Sequence, residues 1–184
     1  MNTSLFLFPL PPLQDPPEKT PVVQALQESG FAGARLDEDR YAVGNGFFNY
    51  MTFAGCSPHL QLLPPEDGGW QFCHIQIHAD DNPRLQIAPQ RGRPRCPVCR
   101  SNLPDWKGRL EEWKQDGRRQ VHCESCDASM PVAEMDWRQY GLAARFRVEI
   151  HQVYPGEALP QDSLLKLLAD VTGREWTYAW AESG

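Results

Sequence analysis

The first apolar stretch, residues 4–9 (Ser-Leu-Phe-Leu-Phe-Pro), is short, rich in Phe and Leu, and closed by prolines, which predicts a buried strand. A proline-rich connection follows. From Thr20 the pattern changes period: Val22, Val23, Ala25 and Leu26 share one helical face, with Thr20 suited to the N-cap and Pro21 to the first turn. Gly30 is placed to end this helix, and Phe31 just beyond it to fold back on it. A strand over residues 40–43 completes a strand–helix–strand unit. Near the other end, Phe146, Val148 and Ile150 alternate with Arg145, Arg147, Glu149 and His151, the period of a half-buried strand. A loop through Pro155 and Gly156 leads to a helix carrying Leu164, Leu165, Leu167, Leu168 and Val171, with Gly173 as its stop. Trp176, Tyr178 and Trp180 then alternate with Glu175, Thr177 and Ala179 as a last strand.

Two strand–helix–strand units in one chain predict an α+β body, a ferredoxin-like split βαβ sandwich with its helices on one sheet face. Extra strands are expected between the units over residues 47–53, 59–63, 70–79 and 84–88. Gly44, Asn45 and Gly46 read as a hairpin turn, because no strand-to-helix context or lysine accompanies them for phosphate binding.

The region between the units carries the strongest chemical signal. Cys96-Pro97-Val98-Cys99 and Cys123-Glu124-Ser125-Cys126 each place two thiols on one tight turn. Two such turns complete a tetrahedral sulfur set, which suits a borderline-soft ion such as Zn²⁺. Two disulfides or a redox pair are the competing meanings of these spacings. Redox motifs usually come singly, whereas here two matching pairs flank a basic segment. Between them Leu103, Trp106, Leu110 and Trp113 recur at helical spacing, with Asp105 as cap and Gly117 as stop, and residues 118–122 return as a strand. Trp106 and Trp113 read first as packing residues of a small module, and second as stacking platforms for nucleic-acid bases. His122 adjoins Cys123 and is a conceivable substitute ligand, but four cysteines already satisfy the ion.

These two turns resemble the knuckles of a zinc ribbon, a rubredoxin-like module, over residues 94–131. Arg100 and Asp127 stand where ribbons often carry glycine after the second cysteine of each pair. The resemblance implies one structural Zn²⁺ held by Cys96, Cys99, Cys123 and Cys126, and it implies a site without implying an activity. The expected organisation is a first half of the body over residues 1–90, an inserted ribbon over 91–131, and a second half over 132–184.

Composition adds a charge asymmetry. The 184-residue chain has a net charge of −6, yet residues 90–122 hold nine basic side chains against four acidic ones. That segment is +5, leaving −11 for the remainder. No run of 18 apolar residues is present, which excludes a helical membrane span. The apolar start lacks a basic flank and is broken by Pro9, Pro11 and Pro12, so it does not read as a signal peptide, and a cytoplasmic location is expected. A basic ribbon on an acidic body first suggests a non-catalytic interaction or regulatory protein with a protein partner. The alternative is nucleic-acid binding through Arg91, Arg93, Arg95, Arg118 and Arg119, which the acidic body opposes.

A third class, an enzyme, rests only on Cys56, His59 and His74 as a nucleophile with a base. The same residues with Cys73 and His78 raise a second metal site. His74 and His78 lie about 13 Å apart if on one strand, too far for one ion. Cys73 shares a face with Ile75 and Ile77, where a free thiol acts as a small hydrophobe. The acidic runs at Asp37, Glu38, Asp39 and at Asp80, Asp81 read as solvated turns.

Overall fold

The computed structural model describes residues 3–54, 60–88 and 90–183. It is an α+β structure around one six-stranded antiparallel sheet. The strands are β1 (Thr3–Pro9), β2 (Ala32–Arg35), β3 (Arg40–Val43), β5 (His74–Ala79), β10 (Phe146–Ile150) and β12 (Trp176–Glu182), in spatial order β12-β1-β10-β5-β3-β2. Because β1 and β5 both run antiparallel to β10, they are parallel to each other with β10 between them. Likewise β10 and β12 flank β1. The strand that completes the first unit is therefore β5. The expected one, β3, lies beyond it in a hairpin with β2 at the sheet edge.

Helices α1 (Lys19–Glu28) and α4 (Asp162–Thr172) cover one face. Val22, Leu26, Leu164 and Leu168 meet Leu5, Leu7, Ile75, Ile77, Phe146, Val148 and Ile150 in the main core. Burying such side chains stabilises by about 1.5–3 kcal/mol each, so this layer is the main source of cohesion for the body. Gly173 ends α4 in the left-handed conformation, φ +67°, as its position predicted. At α1 the expected cap fails. The helix starts at Lys19 behind Glu18, so Thr20 lies inside it, and no side chain caps the first turn.

Residues 47–53 are not one strand. Phe47–Tyr50 form a single helical turn, α2, before β4 (Met51–Phe53), which pairs with β11 (Ala158–Pro160). The cause is the glycine cluster: Gly46 N–H donates to Gly30 O at 2.9 Å and Gly44 N–H to Phe31 O, pressing this turn onto the end of α1. A Cβ on Gly44 would sit 2.1 Å from Gly30 O, a closeness that only glycine permits. Residues 60–63 and 70–73 form no strand, and the 84–88 strand shortens to β6 (Gln86–Ile87), paired with β9 (Gly141–Leu142).

The cysteine-bearing segment leaves the body after β6 and returns at β9. It contains α3 (Trp106–Gln115), β7 (Gln120–His122) and β8 (Ser129–Pro131), the last two paired as a hairpin. Asp105 precedes α3 in a left-handed conformation, φ +50°, and its side chain makes no cap hydrogen bond, against expectation. No helix among the described residues is long and apolar enough to cross a membrane.

Candidate metal centre

The two cysteine turns have the same backbone wiring. Arg100 N–H donates to Cys96 O at 2.9 Å and Cys96 N–H to Ser101 O at 3.0 Å. At the matching positions Asp127 N–H donates to Cys123 O at 2.9 Å and Cys123 N–H to Ala128 O at 2.8 Å. Arg100 and Asp127 adopt φ values of +62° and +58°, the left-handed geometry that favours glycine. The turn demands that geometry whichever residue occupies it.

This wiring aims all four thiols inward. One ligand atom each from Cys96, Cys99, Cys123 and Cys126 lies within 4.8 Å of every other, a cluster able to hold a metal ion. Cys96 and Cys126 Sγ are 3.7 Å apart, and Cys99 and Cys123 Sγ 3.6 Å. Ser101 is a functional neighbour that the spacing did not reveal: its Oγ lies 3.0 Å from Cys99 Sγ and 3.4 Å from Cys123 Sγ. The Ser101 hydroxyl, then the Ser125 amide, brings the Cys123 thiol down to about 6 and the same hydroxyl also lowers Cys99. At Cys126 the Ala128 amide favours the thiolate, but burial and the three neighbouring thiols outweigh it and push the group up to about 12. Four thiolates repel one another unless a cation sits among them, and metal binding displaces the thiol protons that remain.

The site rests on a local core. Cys96, Cys123, Trp113, Val121, Met130, Val132, Met135 and Trp137 are buried together, and Leu85, Ile87 and Ala143 from the connecting strands join them. Trp113 is fully buried and meets Trp137 edge-on, as does Trp106, so the tryptophans act as packing residues. Arg95 fastens the entry to the exit: its Nε and Nη2 donate to Asp136 Oδ2 at 3.1 and 2.6 Å, and the two backbones exchange N–H···O bonds. Of the other expected phosphate-binding arginines, Arg118 pairs with Asp116, Arg119 with Glu112, and Arg91 lies over the Tyr140 ring. His122 is outside the cluster, near Ser129 and Asp127.

The remaining candidates separate. Cys56 and His59 lie outside the described residues, so the nucleophile arrangement has no described geometry. Cys73 is buried in the main core, where burial pushes its thiol up to about 12. His74 and His78 share the opposite sheet face but serve different partners. His74 Nδ1 donates to Phe72 O at 2.8 Å and its ring stacks on His151 at 4.2 Å, whereas His78 Nε2 donates to Glu149 Oε2 at 2.8 Å. Among the described residues the four cysteines are the sole cluster with metal-ligand geometry. Asp37 organises its own turn by accepting from the Asp39 and Arg40 amides, as expected of a polar loop.

Comparison with protein-family models, with curated proteins and with solved structures returned no match for this chain.

Proposed function

We propose that Cys96, Cys99, Cys123 and Cys126 hold one structural Zn²⁺ in a ribbon over residues 91–131, and that the chain is a non-catalytic interaction or regulatory protein built on this insert. The convergence of four thiols within 4.8 Å supports this reading. Four protein ligands close the coordination sphere, which is the arrangement of structural zinc, whereas catalytic zinc keeps a position open. A set of sulfurs alone favours zinc over the oxygen-seeking ions, and d-shell filling imposes no geometry on it.

Elemental analysis of the purified chain should find one zinc per molecule, and Cys126→Ser should lower that occupancy. Zinc-free protein, or disulfides linking these cysteines in the cell, would overturn the assignment. A protein partner fits the surface better than nucleic acid, because three of the five candidate arginines already face carboxylates. A phosphate-driven complex would weaken steeply between roughly 50 and 200 mM salt, and such a slope would reverse this order of preference.

A further inference from the structure

The sheet face opposite α1 and α4 is half apolar and half polar. Phe6, Phe8, Ala179 and Ala181 meet Leu142 and Ala144 there. Beside them Glu149 is only 2% exposed, although its alternation predicted solvent. Its carboxylate accepts from His78 Nε2 at 2.8 Å and from Ser183 Oγ at 2.6 Å, and His151 Nε2 lies 3.5 Å away. Burial opposes its charge, yet these donors bring Glu149 down to about 2. A buried ionised carboxylate contributes little net stability compared with an apolar residue of the same volume. A perturbed charged group beside a cavity is instead a mark of a working site.

Such a cavity is present. It is a cleft open to solvent on one side, with about 730 Å³ between this polar half-face, the strand β6 and helix α3, within the volume range of small-molecule sites. Its walls include His78, Asp80, Arg84, Lys114, Arg147 and Glu182. Asp80 is neutralised by Arg147 at 2.5 Å, Asp81, also in the wall, lies 3.6 Å from Arg145, and Lys114 pairs with Glu111 on its own helix. Among the described residues that leaves one cation, Arg84, and one anion, Glu182, without an ion-pair partner. The His78 ring also lines the cavity, with its Nε2 bonded to Glu149 Oε2.

We propose that this cavity binds a small zwitterion of the free amino acid class, its carboxylate held by Arg84 and its ammonium by Glu182, beside the His78 ring. Two uncommitted charges of opposite sign favour a ligand that carries both charges over one that carries a single charge, because only the former engages both walls. Glu149 is a positioning residue: its bond to Nε2 holds the His78 ring in place. Because Lys114 comes from the cysteine-bearing insert and His78 from the sheet, the ligand would bridge the two parts of the molecule. The proposal does not depend on which metal the cysteines hold.

The test is an NMR titration of the full metal-loaded chain with each free L-amino acid, using acetate and ethylamine as single-charge probes. At least one amino acid should shift the His78 ring and the Lys114 amide together, at concentrations where neither control does. Arg84→Ala and Glu182→Gln, both at the cavity surface, should each weaken that binding by about tenfold or more, the worth of a hydrogen bond to a charged group. Unchanged resonances of the main core, Val148 and Leu168 among them, would confirm that the variants fold. Three results would overturn the proposal: no amino acid perturbs His78, the single-charge probes bind equally well, or both variants bind like the parent chain.

Discussion

Gly117 lies where the end of α3 meets the body. Its N–H donates to Pro83 O at 2.6 Å, and its own carbonyl accepts from Ala133 N–H at 3.0 Å. A Cβ there would come 2.5 Å from Ala143 Cβ and 2.6 Å from Pro83 O. Carbon atoms pack best about 3.5–4.0 Å apart, so Gly117→Ala must push Ala143 back by roughly 1 Å and stretch the bond to Pro83. Overpacking of this kind costs about 1–3 kcal/mol, and a weakened hydrogen bond adds about 1 kcal/mol. The smaller conformational freedom of alanine in the unfolded chain returns about 0.4–1 kcal/mol. The net expectation is a loss of about 1–3.5 kcal/mol, seen as a fall in melting temperature of roughly 2–14 °C for a chain of this length. Gly108→Ala is the matched control. That position lies in α3 with nothing within 4 Å of the new Cβ, so the change should stabilise by about 0.5–1 kcal/mol through helix propensity. Thermal and urea unfolding of both variants, with hydrogen exchange over β7 and β8, provide the readout. Equal midpoints for parent and Gly117→Ala, or the same sign for both variants, would refute the seam as described.

Three further outcomes are expected. Arg100→Gly should stabilise the cysteine turn by about 0.5–1 kcal/mol, because φ +62° costs an L-residue with a side chain roughly 1–2 kcal/mol before the entropy of glycine is subtracted; an unchanged unfolding midpoint of the metal-loaded protein would count against it. Burial, opposed by the Glu149 charge, lowers His151 to about 4, so its neutral form contributes stability that is complete above the unfolded value near 6.5 and is lost as pH falls towards 4; a ring titration near 6.5 by NMR would show that His151 is not buried as described. Glu149→Gln should destabilise by about 1.5–3 kcal/mol at neutral pH and should remove the part of the acid sensitivity between about pH 4.3 and 2; a variant as stable as the parent would show that the His78 and Ser183 bonds contribute nothing net.

Local pattern was enough for the elements whose chemistry is local. Phe146 to Ile150, the leucine-faced helix stopped by Gly173, and the two cysteine turns all declare themselves through period, terminator or ligand spacing over a few residues. The left-handed backbone at Arg100 and Asp127 was not legible locally, because neither residue is a glycine and the turn's hydrogen bonds impose it. What the tertiary structure alone decided were choices between partners far apart in sequence. β5 takes the place beside β10 that β3 was expected to fill, because Val148 and Phe146 find Ile77 and Ala79 across the ladder while β3 is held by its hairpin with β2. Residues 47–50 turn helical because Gly46 bonds to Gly30 on the end of α1, a contact absent from any local period. Glu149 alternates like a solvent-facing residue, yet it is buried because Ser183, 34 residues further on, folds over it and His78 reaches it from the next strand. Alternation fixes which side of a strand a residue occupies, while what covers that side is set by the packing of the whole chain.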